Sequence, residues 1–155
     1  MINARELKTG NKVLVNGIER EIFSIVPCTD GHTYGFNCFE GDMPEFYDYD
    51  CEPIHLTPEI LERCGFEVSQ YIGTGDFYIS GSKVIKVGSY NYKIVVFAQD
   101  YDTWLLNYIT NPLFSKDVQK EITASLLPFQ HLHQLQNIWL DFTGQELEIK
   151  ELKHA

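Results

Sequence analysis

Little in this sequence carries positive charge, and nothing in it is apolar for long. Twelve Lys and Arg stand against 22 Asp and Glu, a formal charge of −10. So acidic a chain repels nucleic-acid phosphate unless its few cations gather on one face. Direct DNA or RNA binding is therefore not expected. No apolar run approaches the roughly 20 residues needed to span a bilayer, and the opening MINARELKTG lacks the basic-then-apolar layout of a signal peptide. A cytosolic (cytoplasmic) protein without membrane contact is the expectation. Cys28, Cys38, Cys51 and Cys64 contain no CxxC pair, which argues against a redox motif or a zinc knuckle and for four reduced thiols. Polar low-complexity tracts are missing too. With 44% hydrophobic and 14% aromatic residues, the 155-residue chain has material for one good core or for two small lobes.

What is present reads as α+β. Asn3 precedes Glu6 at capping-box spacing, which predicts one short helical turn through Leu7, broken at Thr9-Gly10. Asn16-Gly17 between Lys12–Val15 and Ile18–Val26 is a strong hairpin signal. Pro27 ends the second strand, Asp30-Gly31 turns the chain, and His32–Phe39 alternates enough to return as a third strand. A small antiparallel sheet or partial barrel over residues 1–52 is expected. Its last part, Glu40 to Glu52, interleaves Glu40, Asp42, Glu45, Asp48, Asp50 and Glu52 with Phe46, Tyr47 and Tyr49 and contains no basic residue. Such a run is either a solvated loop with its aromatics tucked under the core or a negative surface for a basic partner.

Residues 53–155 are expected to form a second α+β element, or to continue the first. Thr57-Pro58-Glu59 supplies an N-cap, a proline at the first helical position and an acid in the first turn; Cys64-Gly65-Phe66 fits a glycine-based stop. Tyr71-Ile72, Phe77–Ser80, Lys83–Val87 and Tyr92–Phe97 read as a β-meander, punctuated at Gly73–Asp76, Gly81-Ser82 and Gly88-Ser89. Asp100 to Leu127 gives no clear pattern: Trp104–Leu106 fits strand or helix, Asn111-Pro112 marks a turn, and Asp117–Leu126 is helical or extended. The strongest periodicity lies in Phe129 to Ile149. Leu132, Leu135, Trp139 and Phe142, with Ile138 beside them, make one apolar stripe opposite Gln130, Gln134, Asn137 and Asp141. Pro128 suits the first turn and Gly144 the left-handed stop, so the meander is expected to pack on this closing helix. A short strand is expected over Glu146–Glu151.

Three segments carry a resemblance. Glu6-Leu7-Lys8-Thr9-Gly10-Asn11-Lys12-Val13 opens the chain, Pro53-Ile54-His55-Leu56-Thr57-Pro58-Glu59-Ile60-Leu61-Glu62-Arg63-Cys64-Gly65-Phe66 stands in the middle, and His131-Leu132-His133-Gln134-Leu135-Gln136-Asn137-Ile138-Trp139 with Thr143-Gly144-Gln145-Glu146-Leu147 closes it. In order and spacing these resemble a family of small proteins of gut anaerobes and their prophages, one with no established activity. The resemblance implies a mobile-element (prophage) context and no catalytic residue. In the middle motif Pro58-Glu59 stands where the family has two acids, a change that still caps a helix.

Catalytic and metal chemistry are weakly indicated. Cys28, His32 and Cys38 lie on strand and turn. His131 and His133, two apart on a helix, would point about 200° from each other and share no ion with His55. Cys64 at a helix C-terminus has the wrong end of the dipole for a thiolate, and Gly73-Thr-Gly75-Asp76 lacks the third glycine and the lysine of phosphate loops. No metal, cofactor or catalytic residue is assigned. A protein partner or self-association is expected, through Gln134, Asn137 and Asp141 on the last helix or through Glu45, Asp48 and Asp50. The amides of Gln134 and Asn137 have a competing use, hydrogen bonding to backbone within the molecule. A non-enzymatic interaction or accessory protein is the reading, with an acidic nucleic-acid mimic built on residues 40–52, or a metal-dependent or cysteine hydrolase, as alternatives.

Overall fold

A computed structural model describes residues 2–29, 34–37, 44–72, 77–87, 90–98, 103–110, 121–122 and 128–150. The class is α+β, as expected. The chain forms two compact units, Met1–His55 with His131–Glu146, and Leu56–Gln130 with Leu147–Ala155. The first unit therefore joins the N-terminal strands to the closing helix from the far end of the chain.

In the first unit a 3-10 turn, Ala4–Glu6, is seeded by Asn3, whose Oδ1 accepts the Arg5 N–H at 3.1 Å. Strands β1 (Lys12–Val15) and β2 (Ile18–Glu21) pair antiparallel across Asn16-Gly17. Both turn residues have positive φ, 53° and 77°, which is why Asn-Gly succeeds there. The run expected to continue to Val26 breaks instead. Ile22 still donates its N–H to the Asn11 carbonyl at 2.9 Å, Phe23 turns outward, and β3 (Ser24–Pro27) starts a second sheet. That sheet has the order β3, β4 (Tyr34–Asn37), β5 (Phe46–Tyr47). A 3-10 turn at Asp48–Asp50 then carries the chain to β6 (Cys51–Glu52), which pairs with β1 and completes the order β2, β1, β6. These are small antiparallel sheets, as expected. Val13, Ile22, Phe36, Phe46 and Cys51 form one core cluster together with Ile2 and Leu7. The Asp30-Gly31 turn lies outside the described residues.

The second unit holds α1 (Pro58–Arg63) and the strand order β11, β10, β9, β8, β7, with β7 Glu67–Ile72, β8 Phe77–Val87, β9 Tyr90–Ala98, β10 Trp104–Thr110 and β11 Glu121–Ile122. Every pairing is antiparallel, as a meander requires. Thr57 Oγ1 accepts the Ile60 N–H at 3.2 Å, and Gly65 (φ 84°) lets Phe66 N–H reach the Leu61 carbonyl at 3.1 Å, so both ends of α1 form as expected. Thr57→Ala should lower stability by about 1 kcal/mol, read from the urea midpoint. Gly81-Ser82 is not a turn, because β8 runs straight through it. Glycine is needed there for another reason: a Cβ on Gly81 would lie 3.2 Å from Phe66 Cβ and 3.4 Å from Leu61 Cδ1. The turns expected at Gly73–Asp76 and Gly88-Ser89, and most of Asp100–Leu127, lie outside the described residues. Trp104–Leu106 is strand.

The closing helix α2 spans Leu132–Thr143 and ends at Gly144 with φ 70°, the left-handed stop its glycine predicts. It begins later than Pro128. Phe129 is held extended by two backbone bonds to Trp104, at 2.8 and 3.0 Å, and a residue so paired cannot enter a helix. The stripe also shifts. Leu132, Leu135 and Trp139 are buried as expected, but Phe142 is 37% exposed, while His133, Gln136 and Thr143 are buried. Residues 146–150 form no strand. One bond, from Lys150 N–H to the Arg63 carbonyl at 2.8 Å, is reciprocated by Arg63 Nε to the Lys150 carbonyl at 2.9 Å; a charge-alternating segment with no parallel partner gains no ladder.

Candidate functional site

The acidic segment is described from Pro44 onward; Glu40 and Asp42 lie outside the described residues. Phe46 is buried and packs against Phe36, with ring centroids 5.7 Å apart. Tyr47 and Tyr49 behave differently. They flank Asp48, Tyr47 as the extended N-cap of the 3-10 turn (φ −120°, ψ 167°) and Tyr49 within it, and their rings stack at 5.3 Å and 15°. Tyr49 is 61% exposed. The carboxylates build the turn. Asp50 Oδ2 accepts the Tyr47 N–H, and Asp48 Oδ1 accepts the Tyr49 N–H, both at 3.0 Å. Glu45 is exposed, and its backbone N–H donates to the Phe36 carbonyl at 2.9 Å. The Tyr49 phenol has its pKa raised, by local desolvation first and then by Asp50, Tyr47 and Asp48, so its ring sits in a negative field.

The amide face of α2 is engaged with the N-terminal residues of its own unit. Asn137 Nδ2 donates to the Glu6 carbonyl at 2.6 Å, and its Oδ1 accepts from Asn11 Nδ2 at 2.9 Å. Gln134 Oε1 accepts the His131 N–H at 3.1 Å, the reciprocal half of a capping box, and its Nε2 lies 3.4 Å from Glu6 Oε2. Asp141, largely exposed, sits 3.5 Å from Lys8 Nζ. The bonds of Gln134 and Asn137 are those of the internal use open to such amides. Gln136 is the residue sequence reasoning missed. Its Oε1 accepts the Lys12 N–H and its Nε2 donates to the Gly10 carbonyl, each at 2.9 Å. The signal was present: residues 132, 135, 136, 139 and 143 share one helical stripe, and an amide inside an apolar stripe needs buried partners.

At the start of α2 three imidazoles meet. His131 is the N-cap, in extended conformation (φ −124°, ψ 153°), and therefore lies outside the helix in which a spacing of two would splay it from His133. The two rings instead stack at 5.6 Å and 12°, and His55 meets His131 edge-on at 4.9 Å. A backbone bridge between His55 and His131, with Leu132 N–H bonded to the Ile54 carbonyl at 2.8 Å, sets this arrangement. His133 is 1% exposed; its Nε2 lies 3.1 Å from Glu6 Oε2, and its Nδ1 is buried without a partner. Burial lowers the His133 pKa against the opposing hydrogen bond and charge of Glu6. Burial also lowers that of His131, helped by His133 and His55 and opposed by Glu6.

A metal lies in the plane of each imidazole that binds it. Rings stacked nearly parallel do not offer that shared point, and among the described residues no group of three or more His, Cys, Asp or Glu is arranged to hold an ion. Cys28 is half-buried; His32 and Cys38 lie outside the described residues. Cys64 is buried at the end of α1, with its carbonyl accepting from Lys83 Nζ at 3.0 Å. No helix among the described residues is long and apolar enough to cross a membrane. No protein-family model, no curated protein and no solved structure matches this chain.

Proposed function

We propose that this protein is a non-catalytic binding module whose first unit receives a cationic segment of a partner protein on the Tyr47–Tyr49 turn. The observation that carries this is the exposed ring of Tyr49, stacked on Tyr47 and bracketed by Asp48 and Asp50. A ring face attracts a guanidinium or ammonium group, and more so once both are desolvated. Stacking fixes the ring in advance, so little side-chain entropy remains to be lost on binding. The overall charge of −10 steers a basic partner inward. The resemblance to prophage proteins is compatible with an accessory role in a mobile element.

Titration with an arginine-rich peptide, followed by calorimetry at low and moderate salt, tests this. Tyr49→Ala is expected to weaken binding about tenfold, the equivalent of roughly 1.4 kcal/mol, within the range of a desolvated cation–π contact. Equal affinity for the variant, or no saturable binding, overturns the proposal. Nucleic-acid mimicry by the same segment is less well supported, since Asp48 and Asp50 each turn an oxygen inward to close their own turn. Mimicry would show as binding that collapses with salt while remaining indifferent to Tyr49.

A further inference from the structure

Four side chains from three separate stretches of the first unit converge where α2 begins: Glu6 from the N-terminal turn, His55, and His131 with His133. We propose that they form an acid-operated latch, holding the first turn of α2 to the Ala4–Glu6 turn while His131 and His133 are neutral and releasing it as these two take up protons.

The geometry carries the argument. With the Glu6 carboxylate accepting, His133 donates from Nε2–H, which leaves Nδ1 as a bare lone pair in a buried site. A second proton must go to that Nδ1, where no acceptor waits. His131 stands 5.6 Å away, with His55 against it, so further protons place like charges beside one another. They also do so at a helix N-terminus, the end that disfavours cations. Among the described residues Glu6 is the carboxylate paired with His133, and its side chain is 43% exposed, which weakens its hold on a protonated partner. Gln134 touches the same carboxylate but carries no charge, and Lys8 is taken up by Asp141.

The sign follows from linkage. His133 in the closed form binds a proton less readily than an open imidazole of ordinary pKa 6.5, because burial outweighs Glu6. The open form therefore holds more protons as pH falls, and the hold is complete above 6.5 and declines below it. His131 shifts the same way.

The test follows the histidine ring resonances of the whole protein and the amide exchange of Leu132 and Leu135 between about pH 8 and about pH 5. The Leu132 N–H is bonded to Ile54 and the Leu135 N–H to His131, while Gly144 N–H, bonded to Leu140 at the far end of α2, serves as reference. The His133 resonance should titrate below 6.5. Exchange at Leu132 and Leu135, corrected for its intrinsic pH dependence, should rise about tenfold more than at Gly144, and His133→Gln should abolish that excess. A His133 titration at or above 6.5, or acid-enhanced exchange that is uniform along the helix, overturns the latch. So does an unchanged excess in His133→Gln. If that variant does not fold, the two measurements on the native protein decide the matter alone.

Discussion

Gln136→Ala is expected to lower stability by about 2–4 kcal/mol, among the largest effects of any single polar substitution at the described residues. The side-chain amide occupies the place of a strand residue beside β1, receiving the Lys12 N–H and giving to the Gly10 carbonyl. Truncation removes both bonds and leaves the half-buried backbone groups of Lys12 and Gly10 without the partner that replaced water. Each such loss costs about 1–3 kcal/mol. Gln136→Glu should do no better, because a carboxylate still accepts from Lys12 but faces the Gly10 carbonyl with no proton to offer. Asn137→Ala, at a half-buried site with two bonds, should cost less, and Gln134→Ala less again. Urea unfolding of the three variants checks the order. If the Gln134 and Asn137 variants keep full stability and lose self-association or partner capture, their amides serve docking rather than the fold.

The contrast between Gln136 and its neighbours shows what the sequence makes legible. Local signals were reliable where the local backbone decides: Asn16-Gly17 demanded positive φ, Thr57-Pro58 began α1, and Gly65 and Gly144 ended helices. Signals failed where a distant strand decides. Phe129 has helical periodicity but is claimed by Trp104, 25 positions earlier. Gly81 looks like a turn but makes room for α1 packing on a long strand. The histidines were the clearest case. Their spacing excludes convergence on a helix, and only the extended N-cap conformation of His131 brings them together. No period in the sequence encodes that bridge to His55, because it is made by two backbones far apart in the chain. The acidic segment was half legible. Its aromatics divide as burial dictates, Phe46 inward and Tyr49 outward, but the stacking of the tyrosines rests on Tyr47 being the extended N-cap of the turn that holds Tyr49.

Leu61→Ala should be strongly damaging to the second unit. Leu61 has no exposed surface, and its Cδ1 lies where a Cβ on Gly81 would come within 3.4 Å. Truncation of such a residue costs about 2–5 kcal/mol, the larger part arising where the walls cannot collapse into the void. Here they are constrained, since α1 is fixed at both ends and β8 is hydrogen-bonded on both sides. Gly81→Ala alone should also destabilise, by about 1–3 kcal/mol, through crowding against Phe66 and Leu61. The two together should cost less than their sum by about 0.5–2 kcal/mol, because the added methyl enters space that the shortened Leu61 has vacated. The gain stays partial, as Phe66 Cβ at 3.2 Å is untouched by the second change. A double-mutant cycle in urea measures this coupling. Strict additivity would mean that Gly81 is not placed to let α1 approach the sheet, and that the long β8 owes its glycine to something else.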